Sequence, residues 1–495
     1  MYRAQPAPVR PGSVARRVPR AIARPVSPPF TRTTSQSIAL LCRAAGLTLA
    51  TALALAACDG SSPSGGDSCA DADLPPADIG YSLSVEPGAA AGSYQPHPPI
   101  LIEGVRATAA DPYVVQGYEI SSDSANGIEI RDCEHVVVRG NYLHDCTWNR
   151  DPGDPYSQDE GYALLVGKSS HVVLEDNLLE RNKQGLAVHS SHDVQIRHNT
   201  IRTTLVRSSL RLERVATAVV AANLLEDNGV PEQFWAPGHR CIGIFLVRSA
   251  DVEVRDNAVL RSTSDGISVG GQIDGGGLTT HASDWTGLAR DIRIHNNLVL
   301  DNMEQGLWLV RARNLAIHHN TIRTGCFTHG AGVALDFDVD DSEVYANKVV
   351  TCLCAAYMGL SMSHGNHIHD NAHYSTDGEH PPVRPHDDPV NDAIKAEWAG
   401  IPYRASADNR VEDELHFRVG GALGQALEER RERADSERTW EERGWFSCEI
   451  EEGRLDQACV AAQAALGDQG VPAAYIVFAP LMPDPDLHVI DKGCP

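Results

Sequence analysis

The chain has 495 residues, 42% of them hydrophobic, and a formal net charge of −24. That apolar content is enough for a large buried core, and so acidic a balance argues against nucleic acid as a general partner. Aromatic residues make up only 6%, so Val, Ile and Leu fill the core, as stacked parallel strands require. At the start of the chain, residues 1–35 are rich in Arg and Pro and hold no acidic residue. An apolar stretch over 38–55 follows and closes on small residues before Cys58. A charged region, an apolar run and a small-residue end make 1–57 a secretory signal. A transmembrane anchor fits less well, because the apolar run is short.

This beginning resembles a bacterial lipoprotein signal, in which Cys58 carries the lipid and becomes the new N-terminus. The resemblance implies an exported, lipid-anchored protein of the cell envelope, with the outer membrane or surface expected ahead of the inner membrane. Residues 58–98 are read as a tether and N-terminal cap, with Gly, Ser and Asp prominent at 59–75. Removing 1–57 takes away eight Arg and no acid, so the remainder is more acidic still.

From 99 to 375 one phrase returns: Gly-apolar-x-apolar, a few polar residues, apolar-x-apolar, two residues, then Asn and an apolar pair. It ends at Asn141, Asn177, Asn199, Asn223, Asn257, Asn297, Asn320 and Asn347, with spacings of 36, 22, 24, 34, 40, 23 and 27 residues. A floor near 22 with occasional insertions marks a solenoid of about ten turns. Alternation of period two gives each turn three short strands whose apolar side chains share one core. At its corner the Asn is expected to take the left-handed backbone conformation and to hydrogen-bond the Asn of the next turn. The ladder also positions cysteines. Ten Cys follow Cys58, an even number that suggests disulfides in an exported chain. Cys326 and Cys352 fall six and five residues after their Asn, and they are the expected bridge. After 375 the period is lost. Residues 376–395 read as loop, 422–443 and 454–466 as helices and 474–478 as a strand, so 376–495 is expected to cap the solenoid.

The repeat with its corner Asn resembles the right-handed parallel β-helix, or pectin-lyase-like, superfamily over about 99–375. The closing stretch 478–488 is similar to the last strand of bacterial proteins of this type. The resemblance implies an all-β right-handed parallel β-helix with a mixed helical and loop cap. For function it implies little, because the superfamily includes polysaccharide lyases, uronate epimerases, glycoside hydrolases, esterases and tailspikes.

Extra length at 147–160, 229–240 and 271–290 falls on both sides of the first strands, so loops are expected to wall a groove along that sheet. Counting back from each Asn puts Glu129, Leu165, Ala187, Arg211, Phe245, Ser268, Trp308 and Ala334 outward in it, followed by Lys168, His189, Arg214, Arg248, Arg311 and Asp336. Phe245 and Trp308 suit sugar rings, and with Arg311 and Glu129 they are the candidate substrate-binding residues. A lyase or epimerase acting on uronates needs a base for the C5 proton beside a cation that neutralises the carboxylate. Lys168, His189, Arg211 and Arg248 are the candidates for those roles. Asp336 and Asp338, with Asp340 and Asp341 beside them, could hold Ca²⁺.

A hydrolase would need a carboxylate pair, for which Asp159, Glu160, Asp265 and Glu304 are available. The His-rich run 364–373 raises a transition-metal site, although alternation with exposed polar tips accounts for it more cheaply. Three expectations stand. One is a lyase or epimerase on an anionic polysaccharide, another a non-catalytic glycan-binding or structural lipoprotein, and the third a glycoside hydrolase. In each, a monomer held to a membrane by lipid is expected.

Overall fold

In a computed structural model the chain is described for residues 87–89, 92–148, 161–229, 241–270, 288–324, 331–351, 357–375 and 402–412, with short pieces at 383–385, 396, 415–418, 450–451 and 454–455. The fold is a right-handed parallel β-helix. Third strands form a sheet of 12, from Gln95–Pro96 to Leu415–Arg418. First and second strands together form a sheet of 21, because Leu307–His318 runs straight from one role into the other. Every pairing among these strands is parallel, as crossover connections of one hand demand.

Alternation builds the core. Ile128, Leu164, Leu186, Leu210, Ile244, Ile267, Leu307 and Val333 pair rung by rung along the first strands, all inward and essentially without solvent contact. Full burial of each such side chain is worth about 1.5–3 kcal/mol. Small residues begin these strands for a steric reason. A Cβ on Gly243 would lie 2.3 Å from Val259 Cγ1, and one on Gly266 2.3 Å from Val299 Cγ1.

The Asn ladder is complete. Each Nδ2 donates to the Oδ1 of the next coil at 2.9–3.0 Å, from Asn141 through Asn177, Asn199, Asn223, Asn257, Asn297, Asn320 and Asn347 to Asn371. One detail differs from expectation. The left-handed residue is the one before the Asn, as at Asp176, His198, Ala222 and Asp256, with φ of 54–57°. Turning the backbone one residue early aims the carboxamide inward, where it lies buried under the corner.

Two more polar ladders hold the other corners. Between first and second strands the N–H of Cys133 donates to Ser169 Oγ, that of Ser169 to Ser191 Oγ and that of Val215 to Ser249 Oγ, at 3.0–3.2 Å. After the third strands the N–H of Cys146 donates to Asn182, that of Thr204 to Asn228 and that of Ser262 to Asn302, each at 2.9 Å. Asn366 belongs to the first of these corners and donates to Asn409.

A further coil follows residue 375, made of Val383–Pro385, Arg410–Glu412 and Leu415–Arg418. The helices expected over 422–443 and 456–466, the strand at 474–478, and the signal with Cys58 lie outside the described residues. Arg454–Leu455, expected to open a helix, instead pairs antiparallel with Ile450–Glu451. Cys326 and Cys352 also lie outside the described residues. Cys133, Cys146 and Cys241 are buried free thiols rather than disulfides, and burial pushes the Cys146 and Cys241 thiols up to about 12.

Candidate functional site

The outward column of the first strands pairs in unbroken register from Glu129 through Leu165, Ala187, Arg211, Phe245, Ser268 and Trp308 to Ala334. Direction and exposure part company here. Phe245 is only 2% exposed and clusters with Ile242 and Val247. Trp308 is 8% exposed, packs with Phe337, Met362 and Ala396, and donates its indole N–H to Asp336 at 3.1 Å. Neither ring lies open for a sugar to stack on. Glu129 accepts hydrogen bonds from Asn126 and Arg131.

Cations gather where first strands turn into second strands. Lys168, Arg214, Arg248 and Arg311 occupy equivalent corner positions, each left-handed with φ of 51–54°. In that column Lys168 and Arg214 are exposed, Arg248 is half-buried and Arg311 buried. Glu213, one residue before Arg214, draws three basic groups together. Arg211 Nη2 donates to its Oε2 at 2.9 Å and Arg214 Nη2 to its Oε1 at 2.7 Å, while His189 Nδ1 lies 3.3 Å from Oε2. The hydrogen bond with His189 and the two guanidinium groups hold the Glu213 carboxyl well below the usual carboxylate range, against the opposing effect of burial. The Arg211 guanidinium also lies 5.6 Å above the Phe245 ring centre.

Of the candidate catalytic residues, then, the structure brings His189 and Arg211 together on Glu213. Lys168 lies one coil before His189 in the stack, and Arg248 one coil after Arg214. Glu213 itself went unnoticed in the sequence, where an acid among the basic residues that follow the outward column looked like ordinary mixed charge. Pairing a carboxylate with a histidine Nδ1 leaves Nε2 to accept a proton, the arrangement that a general base requires.

Asp338, expected as a metal ligand, is instead held by arginine. It is 2% exposed and accepts from Arg311 Nε at 3.1 Å and Arg404 Nη2 at 2.5 Å. Arg404 also donates to both oxygens of Asp340 at 2.6 Å, and Arg313 adds an ion pair at 3.2 Å. Three guanidinium groups therefore balance these acids, and the Asp336 carboxylate faces Trp308. Carboxylates for hydrolysis fare no better, because Asp265 and Glu304 are buried and Ser264 donates to Glu304 at 2.5 Å. Asp159 and Glu160 lie outside the described residues.

The segments expected to wall a first-strand groove also lie mostly outside the described residues. A cleft of about 570 Å³ opens on the second-strand sheet instead. Val137, Val173 and Val219 floor it, with His171, Asp251 and Arg293 among its polar walls. Alternation gave no sign of it, since these valines occupy outward positions.

Residues 102–239 match the family described as a right handed beta helix region. No curated protein matches the chain. Among solved structures it is similar to a double mutant of a periplasmic alginate epimerase, at 10% identity, with 61% of this chain and 69% of that one covered and a TM-score of 0.37. A lacto-N-biosidase from Eubacterium ramulus gives 12% identity, 64% and 59% coverage and a TM-score of 0.29. A family 28 exopolygalacturonase from Yersinia enterocolitica gives 11%, 61%, 48% and 0.33. The chain thus spans about half to two thirds of the length of these structures. Likenesses so distant do not bear on a reaction.

Proposed function

We propose that this protein binds an anionic polysaccharide along the first-strand face and its basic corner, and removes the C5 proton of a uronate there as a lyase or C5-epimerase does. The supporting observation is the His189–Glu213 pair, flanked by Arg211 and Arg214 on the same carboxylate and by Lys168 and Arg248 along the corner. Lys168, Arg211, Arg214 and Arg248 gather basic groups along one corner of an acidic chain, a patch that suits a sugar carboxylate. Glu213 fixes the His189 ring, Nε2 takes the C5 proton, and the cations stabilise the charge that develops on the sugar carboxylate. The electron pair then either expels the C4 oxygen, as in a lyase, or recaptures a proton on the opposite face, as in an epimerase. In the same reading the chain is exported and held to a membrane through lipid on Cys58.

Incubation with pectate, alginate and glycosaminoglycans, followed by absorbance for unsaturated ends and NMR for epimerised residues, tests this. His189→Ala should abolish turnover by about 10²-fold or more and leave affinity within a few fold. Alanine at Lys168 and Arg248 should weaken binding, more so at low salt. If no unsaturated or epimerised product forms with any of these glycans, the catalytic reading is lost. A second reading, a non-catalytic glycan-binding protein, rests on the basic corner alone. That reading is supported if the alanine variants weaken binding while no product forms.

A further inference from the structure

The outer face of the second-strand sheet carries a row of rings unrelated to the basic corner. His295, His318, Tyr345 and His369 follow one another in register, with centroids 4.8, 4.9 and 5.4 Å apart and planes within 18° of parallel. At the C-terminal end of this row the side chains change character. His367 and His369 stand two residues apart on one face of the strand His367–His369, with their rings 4.1 Å apart. Glu343 pairs directly with His367 on the preceding coil, and Glu412 pairs with His369 on the following one.

One nitrogen from each histidine and one oxygen of Glu343 lie within 4.8 Å of one another. Glu412 Oε1 lies 2.5 Å from His367 Nε2, and Glu343 Oε1 3.2 Å from His369 Nε2. Asp370 accepts from His369 Nδ1 at 2.7 Å. A carboxylate on Nδ1 selects the tautomer whose Nε2 carries the lone pair, which is the outer-shell arrangement typical of a metal-binding histidine. Two imidazoles and the Glu343 carboxylate converge in this way, with the Glu412 carboxylate on His367 beside them, a nitrogen and oxygen donor set of the kind zinc takes, with donors at about 2.0–2.2 Å from the ion. Its nitrogen content is wrong for a hard ion such as calcium, which prefers oxygen alone. The four side chains are all partly exposed, so small rotations can close the set around an ion.

We propose that His367, His369, Glu343 and Glu412 form a binding site for a zinc-class divalent ion, which ties three successive coils together at the C-terminal end of the sheet. The strands Glu343–Tyr345, His367–His369 and Arg410–Glu412 are already joined by backbone pairing and by the Tyr345–His369 stack. An ion ligated by all three opposes separation of these coils, the last of the second-strand stack among the described residues. The site lies on second strands several coils further along the stack than the first-strand residues His189 and Glu213, so its fate is independent of the glycan reading.

The test is calorimetric titration of the chelator-stripped full chain with zinc chloride, alongside thermal melting. Other histidine groups, such as His135 and His171, stack at 4.4 Å and can take up zinc weakly, so variants decide the matter. The wild type should bind one equivalent at micromolar zinc or tighter, melt higher when loaded, and resist competition by a large excess of calcium. His367→Gln with His369→Gln should weaken that binding at least tenfold and abolish the melting shift, while the metal-free melt and circular dichroism stay unchanged. Glu343→Gln should weaken binding to a smaller extent. Equal zinc binding by the wild type and the double histidine variant would overturn the proposal, as would no binding by the wild type at micromolar zinc.

Discussion

His318 sits between His295 and Tyr345 in the row of stacked rings, and its position makes it a proton-sensitive weak point. Burial, reinforced by the nearby His295 and His319, pushes it down to about 4. A histidine in the unfolded chain titrates near 6.5, so between these values the unfolded state binds the extra proton. Stability is therefore expected to fall as pH drops from about 6.5 to about 4, and this contribution to flatten below that. Glu213 acts in a lower window. Its pKa is depressed in the fold, so its contribution is complete above the ordinary carboxylate value and disappears as pH falls below it. Urea unfolding measured from pH 7.5 to 4 should show the upper loss in the wild type and a shallower slope in His318→Gln. Identical slopes in the two proteins would remove His318 from the account.

At the scale of the coil, the polar ladders carry what the strands cannot. Asn199 donates to Leu174 O, Arg197 O and Asn223 Oδ1, and accepts from the N–H and the Nδ2 of Asn177. Each buried group left without a partner costs about 1–3 kcal/mol, so Asn199→Ala is expected to destabilise the protein by on the order of 3 kcal/mol or more. Ser191→Ala, which removes one donor to His189 O and one acceptor for Ser169, should cost about 1 kcal/mol. Chemical denaturation of both variants checks the order, and a larger loss at Ser191 would reverse the assignment of the main ladder.

The same contrast explains what was legible beforehand. Asn recurs at one corner in every coil from Asn141 to Asn347, so the register and the whole outward column from Glu129 to Ala334 could be counted from it. The other corners use Ser, Thr, Cys and Asn interchangeably, because a single hydroxyl or amide suffices there, and no residue type repeats. Exposure was not legible at all. Period two fixes which way Trp308 points, while Ala396 in its cluster and Arg404 on Asp338 come from much further along the chain, where no period reaches. Arg404 therefore turned an expected cation site into an ion-pair network.

Over the whole molecule, charge and attachment belong together. A chain of net charge −24 is repelled by anionic membrane surfaces, so the attachment proposed above rests on the lipid at Cys58 and not on the protein surface. Cys58→Ser is expected to move the protein from the membrane fraction to the soluble fraction of its cells, and a wild type already soluble would remove the anchor from the account. The ladder adds something that concerns the stack as a unit. Each carboxamide from Asn141 to Asn347 directs one N–H at the oxygen of the following coil and offers its own oxygen to the preceding one, and the first oxygen receives the Tyr118 N–H. Hydrogen bonds aligned in this way polarise one another, so the row has a positive and a negative pole, as an α-helix does. The stack consequently has a sense as well as an axis. Two such columns could continue one another only head to tail, because any meeting of like ends would set donor against donor or oxygen against oxygen.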